Sequence, residues 1–119
     1  QELKASGSER RRFDRRPVSI PAFLYESASN EKNFMSGLIV DISLGGMRIS
    51  IAKDPAVEAY RSGESPQFEA LFALPNEVRP VNVRCKTCRV VDTNGDVHVG
   101  ATFIDSDFNS YQTLQRYLV

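Results

Sequence analysis

The chain has 119 residues, which is the size of one domain and short for a two-domain enzyme. Hydrophobic residues make up 41% and charged residues 25%, the balance of a folded globular protein with a core of its own. Fifteen cations balance fifteen anions, which argues against a generally basic nucleic-acid binder. The balance hides an asymmetry, because Arg10, Arg11, Arg12, Arg15 and Arg16 fall within seven residues. No apolar run is long enough to span a bilayer and no signal-peptide pattern is present, so membrane insertion is not expected and the cytoplasm is the expected location.

In chain order, residues 1–8 are polar with no apolar period and read as a flexible N-terminal arm. After the arginine cluster, Val18, Ile20, Ala22 and Leu24 alternate in a first strand. Pro21 within it predicts an edge position or a local irregularity. Residues 26–35 are a polar connection. Leu38, Val40 and Ile42 alternate in a second strand, broken at Gly45–Gly46, and Met47, Ile49 and Ile51 in a third. Residues 53–66 read as a loop with a helical turn. Phe68, Ala70, Phe72 and Leu74 make a fourth strand, stopped by Pro75–Asn76. In the fifth, the parity of Val81, Val83 and Cys85 shifts to Cys88 and Val90, which predicts a β-bulge near Lys86–Thr87. Asn94–Gly95 is a hairpin signal, leading into a sixth strand with Val97, Val99, Ala101 and Phe103 facing the core. Asp105, Ser106 or Asp107 caps a final helix whose apolar face is expected at Phe108, Tyr111, Leu114 and Leu118. Six short strands and one terminal helix predict a mainly β protein, a six-stranded antiparallel barrel with a C-terminal α-helix.

Enzyme chemistry finds little support. His98 is the only histidine and lies on the face opposite Val97 and Val99, where a solvated imidazole is expected. No nucleophile motif or phosphate loop appears. Cys85-x-x-Cys88 lacks the second ligand pair that a closed zinc site needs. With the predicted bulge, both thiols face the core as small hydrophobes. No catalytic residue and no metal site are assigned.

Two segments carry binding chemistry. In Arg11-Arg12-Phe13-Asp14-Arg15, planar and permanently charged guanidiniums can grip phosphate or a guanine edge with paired hydrogen bonds. Taken alone, such a run more often reads as solvated surface charge. In Asp41-Ile42-Ser43-Leu44-Gly45-Gly46, a strand end presents a carboxylate and a hydroxyl on one side. The glycines leave room for a close ligand. An aspartate suits the N–H donors of the guanine Watson–Crick edge, and arginine suits its O6 and N7. Alternatively, Asp41 and Ser43 satisfy backbone N–H groups of a hairpin turn.

Taken together, these segments resemble the PilZ domain, the bacterial receptor module for cyclic di-GMP, over residues 9–119. Its arginine motif matches Arg11 to Arg15, and its Asp-x-Ser-x-x-Gly motif matches Asp41 to Gly46. Val99-Gly100-Ala101-Thr102-Phe103 is similar to its late strand. A second arginine register, Arg12 to Arg16, is also available. The resemblance implies a non-catalytic receptor or adaptor whose arginine segment orders over cyclic di-GMP on the outer surface and relays the signal to a protein partner. It places Arg11, Arg15, Asp41, Ser43, Gly45 and Gly46 at the ligand, with Arg48 beside them by strand alternation. A third cation, Arg10, implies two stacked ligand molecules per protomer. An RNA or single-stranded DNA binder, which usually shows aromatic platforms and a basic groove, is disfavoured by zero net charge and by cations concentrated at one end. The competing reading is a PilZ-like protein-interaction domain that needs no nucleotide.

Overall fold

The computed structural model describes residues 15–25, 34–53 and 67–119. Six antiparallel strands, β1 (Arg16–Tyr25), β2 (Phe34–Ile42), β3 (Gly46–Ala52), β4 (Gln67–Phe72), β5 (Val81–Asp92) and β6 (Asp96–Ser106), close into a barrel in the order β1-β2-β3-β6-β5-β4. One helix, α1 (Phe108–Leu118), follows. The predicted architecture is the observed one. Residues 1–14, 26–33 and 54–66, including the expected arm and the helical turn in 53–66, lie outside the described residues.

Closure gives every strand an inside and an outside, and the alternation of β1, β3, β4 and β6 follows from it. Ile20, Ala22 and Leu24, Met47, Ile49 and Ile51, Phe68, Ala70 and Phe72, and Val97, Val99 and Ala101 are all buried in one core. A closed barrel has no edge, so Pro21 is accommodated by irregularity instead. Two β1 residues, Val18 and Ser19, stand opposite the single Val40, and pairing with β4 starts only at Ala22. Asn76 adopts φ 66 in the β4–β5 connection, a conformation open to asparagine. Gly95 (φ 88) turns the β5–β6 hairpin, closed by Thr93 N–H donating to Asp96 O at 2.9 Å.

Three expectations need correction. In β2 the buried apolar residues are Ile39 and Ile42, so Ile42 is inside as expected, while Leu38 is exposed and Val40 only partly buried. Ile39 pairs with Ile49 and Asp41 with Arg48, so Val40 is an extra, unpaired residue. That bulge moves the inward parity from Ile39 to Ile42. In β5 the bulge sits at Cys88 rather than Lys86–Thr87, since Thr87 pairs with Ala101 and Arg89 with Gly100. Cys85 is therefore buried while Cys88 is exposed.

The third correction is the buried face of α1, which is Ser110, Thr113 and Leu114, with Tyr117 and Leu118 partly covered. Phe108 and Tyr111 are exposed. Both buried hydroxyls are satisfied: Ser110 Oγ accepts from Asn82 N–H at 2.9 Å, and Thr113 Oγ1 donates to Asn109 O at 2.9 Å. Docking to β5 through a polar residue thus displaces the aromatic stripe outwards. Asp107 is the N-cap, accepting from Ser110 N–H at 2.7 Å.

Burial pushes the Cys85 thiol from its ordinary 9.0 up to about 12, because a thiolate there would be desolvated. It stays protonated and unreactive at neutral pH, whereas Cys88 is open to reagent. A thiol-disulfide titration of the native protein at pH 8 is expected to consume one thiol per chain at Cys88. The second should react only after denaturation. Rapid reaction of both would contradict the assigned β5 register.

Candidate functional site

Asp41 is placed by the Val40 bulge. Regular alternation from buried Ile39 would turn residue 41 into the core, where a carboxylate is costly to desolvate. The extra residue instead aims Asp41 at the outer face and Ile42 inwards. There Asp41 Oδ1 accepts from Arg15 Nη1 at 2.8 Å, and Oδ2 accepts from Arg48 Nε at 3.1 Å and Nη2 at 2.9 Å. The Asp41 side chain is only 12% exposed, while those of Arg15 and Arg48 are 62% and 51% exposed. The carboxylate forms a base from which two guanidiniums face solvent.

Cross-strand pairing carries this arrangement around the barrel. Pro17 of β1, Asp41 of β2, Arg48 of β3, Gly100 of β6 and Arg89 of β5 are successive neighbours in one row. The next row along includes Ser50, His98 and Val91. Arg15, Arg48, Arg89, Val91, His98 and Gly100 line a concavity of about 490 Å³. Three guanidiniums against one carboxylate make it electropositive, suited to a ligand with more than one anionic group.

Ser43 does something different. Its Oγ accepts from Gly45 N–H at 3.2 Å and Gly46 N–H at 3.3 Å, and its own N–H donates to Gly46 O at 2.8 Å. The hydroxyl is buried within the turn, and Gly45 O accepts from Phe103 N–H at 2.9 Å. Gly46 is demanded by space rather than by φ, since an added Cβ would strike the Ala101 carbonyl oxygen of β6. Of the sequence-derived candidates, Arg15, Asp41 and Arg48 come together. Ser43, Gly45 and Gly46 form the turn that follows Asp41, and Arg10 and Arg11 lie outside the described residues.

Arg16, the alternative to Arg15, points elsewhere. Its Nη1 donates to Tyr117 O at 2.6 Å and Nη2 to Leu118 O at 3.4 Å, with the guanidinium 5.1 Å from the Tyr117 ring centre. Adjacent arginines thus reach two different elements, Arg15 to β2 and Arg16 to the end of α1. Arg89 and Gly100 were not singled out from the sequence as site residues. A lone arginine in a strand carries no signal until the Cys88 bulge is located.

A family model for the PilZ domain matches residues 9–119. The chain belongs to the PilZ domain family. No curated protein matches the sequence. Among solved structures, this PilZ domain is similar to the inhibitor of motility MotI of Bacillus subtilis (TM-score 0.71, 16% identity), covering 91% of this chain and 49% of that one. It is similar to the PilZ domain of YcgR from Escherichia coli, solved with c-di-GMP (TM-score 0.66, 17% identity), covering 92% and 88%. The PilZ domain of CeSA from a cellulose-synthesizing bacterium is a third (TM-score 0.62, 16% identity, 87% and 93%). The chain spans about half the length of MotI and most of the other two. At these identities the likeness concerns the fold.

The close approach at Gly46 has a measurable cost. Gly46→Ala is expected to destabilise the domain by about 1–3 kcal/mol or more, because the obstacle is a backbone carbonyl of a paired strand. Chemical denaturation measures it, and an unchanged midpoint would mean that the β3–β6 spacing is wider than described.

Proposed function

We propose that this PilZ domain is a receptor for cyclic di-GMP that performs no catalysis and binds its ligand on the outer face across β2, β3, β5 and β6. The observation carrying the reading is the junction of the two sequence motifs. Arg15 of the arginine motif meets Asp41 of the Asp-x-Ser-x-x-Gly motif at 2.8 Å, beside Arg48 and the electropositive concavity. Two phosphodiester charges suit several fixed guanidiniums, and permanently charged arginine holds them at any physiological pH. YcgR, whose PilZ domain was solved with c-di-GMP, shares the fold.

In this reading Arg15 and Arg48 take phosphate or guanine acceptor edges. Asp41 already accepts three hydrogen bonds, leaving one of its approximately four lone-pair positions for a guanine N–H. Ser43, Gly45 and Gly46 hold the turn that fixes Asp41 and keep backbone close to the ligand. Residues 9–14, with Arg10 and Arg11, close over the ligand from the β1 side, and residues 1–8 are an arm outside the PilZ unit. Ordering that segment costs conformational entropy, so ligand binding and recognition of a protein partner become coupled through it. Arg10 adds a cation for a second, stacked ligand molecule, whose phosphates would otherwise repel those of the first. Without a membrane-spanning helix among the described residues, the cytoplasm is the proposed compartment.

Calorimetric titration with cyclic di-GMP tests the reading. Wild type is expected to bind, and Arg15→Ala or Arg11→Ala to weaken binding by about 1–3 kcal/mol with the melting temperature little changed. A flat wild-type titration would leave the nucleotide-independent interaction domain in its place. The same titration carries a further prediction: wild type saturates at two ligands per chain, and Arg10→Ala moves the stoichiometry towards one while binding remains detectable. Saturation of wild type at one ligand would remove the second site.

A further inference from the structure

The start of β1 is held from one side only. Its first residues pair with β2, at Arg16–Ile42 and Pro17–Asp41, whereas pairing with β4 begins at Ala22. A register shift between Pro17 and Ile20 separates those first pairs from the rest of the ladder, and Pro17 has no N–H to give to it. Backbone pairing therefore fixes the strand start weakly, and two side chains complete its attachment. Arg15 donates to Asp41 at 2.8 Å on the outer face. Arg16 turns the other way and ends on α1.

The last carbonyls of a helix have no partner within it. Arg16 Nη1 donates to Tyr117 O at 2.6 Å and Nη2 to Leu118 O at 3.4 Å, so one guanidinium spans two such groups. It also lies 5.1 Å from the centre of the Tyr117 ring, within cation–π range. A cation at this end complements the helix dipole as well. The helix itself is anchored, since Leu114 is in the core and Ser110 Oγ accepts from the N–H of Asn82 in β5. Arg16 thus ties the strand start to the barrel by a route independent of β2.

We propose that Arg16 is a positioning residue for ligand binding. By clasping the end of α1 it fixes the start of β1 and presents the neighbouring Arg15 to the ligand, without touching the ligand itself. The proposal rests on the cyclic di-GMP reading above and decides the arginine register, because a guanidinium held on α1 is not available to the phosphates. Ordering already present in the free protein does not count against binding. The coupling is reciprocal: a ligand that fixes Arg15 also keeps Arg16 on α1 and steadies the last turn of the helix.

The test is calorimetric titration of wild type, Arg15→Ala and Arg16→Ala with cyclic di-GMP, together with melting temperatures and amide hydrogen exchange in the last turn of α1. Arg16→Ala is expected to weaken binding about three- to tenfold. Ligand should slow exchange of the last turn in wild type. In Arg16→Ala that turn should exchange faster, at a rate the ligand leaves unchanged. Fraying of a helix end is a local opening, so general stabilisation of the fold by ligand does not imitate this effect. A lowered melting temperature with wild-type affinity in Arg16→Ala would make the clasp purely structural and overturns the proposal. Unchanged exchange in liganded wild type overturns it too, and faster exchange would mean that Arg16 leaves α1 for the ligand, which also overturns it. If Arg16→Ala does not fold, the wild-type exchange decides alone. Wild-type affinity in Arg16→Ala with loss of binding in Arg15→Ala leaves the cyclic di-GMP reading standing without the clasp. A wild type that shows no binding overturns both.

Discussion

The Asp41 carboxylate binds Arg15 through one oxygen and Arg48 through the other, and the outer face of the barrel is organised around that pairing. Arg15 lies just before β1, Asp41 near the end of β2 and Arg48 within β3, so one carboxylate ties three neighbouring segments together. Its near-burial matters. An ion pair fully in water is worth little because solvent screens it and both side chains wander. A carboxylate that is 12% exposed, anchored in a strand and hydrogen-bonded three times has little freedom left, and it holds its partners in a defined place. The arginines remain half-exposed, with faces and further N–H groups turned to solvent.

Parity explains how a carboxylate comes to stand there. A closed barrel forbids both edges and mixed faces, so a side chain can change sides only through a bulge. Val40 and Cys88 are two such places, on strands separated by β3 and β6. Each sends the next residue outwards, Asp41 in one case and Arg89 in the other, and both land in the row that includes Arg48 and Gly100. Two further irregularities lie in β1, at Val18–Ser19 opposite Val40, and in β6, at Ile104 opposite Arg84–Cys85 and away from the concavity. The same device keeps Ile42 and Val90 turned towards the core, so the irregular strands still contribute to its packing.

What could be read from the residues follows the same division. Strands β1, β3, β4 and β6 alternate cleanly because they cross the core without interruption at their apolar positions, and their buried sets were visible in the sequence. The run Leu38-Ile39-Val40 is apolar throughout, so period two has no phase there, and only the ladder with β3 reveals that Ile39 is inside. The Cys88 bulge was anticipated one to two residues early, because a free cysteine is usually a core residue and Cys88 was read as one. In α1, Ser110 and Thr113 look like surface residues until Asn82 and Asn109 supply their hydrogen bonds. Arg15, Asp41 and Arg48 could be found because motif and alternation agreed. Arg89 could not, since its relevance depends on a bulge and on a glycine in another strand.

Net charge also takes on a local meaning in this arrangement. A protein with equal numbers of cations and anions gains no long-range attraction for polyanions from its net charge. Within one concavity, however, three guanidiniums face a single carboxylate. At physiological ionic strength such a field reaches only about 8 Å, roughly the size of the depression itself. A compact ligand with two phosphates can sit wholly inside that range, whereas a polynucleotide would leave most of its charges over neutral surface. Under the proposed function, selection for a small dianion follows from where the charges stand, with no general excess of positive charge needed to produce it.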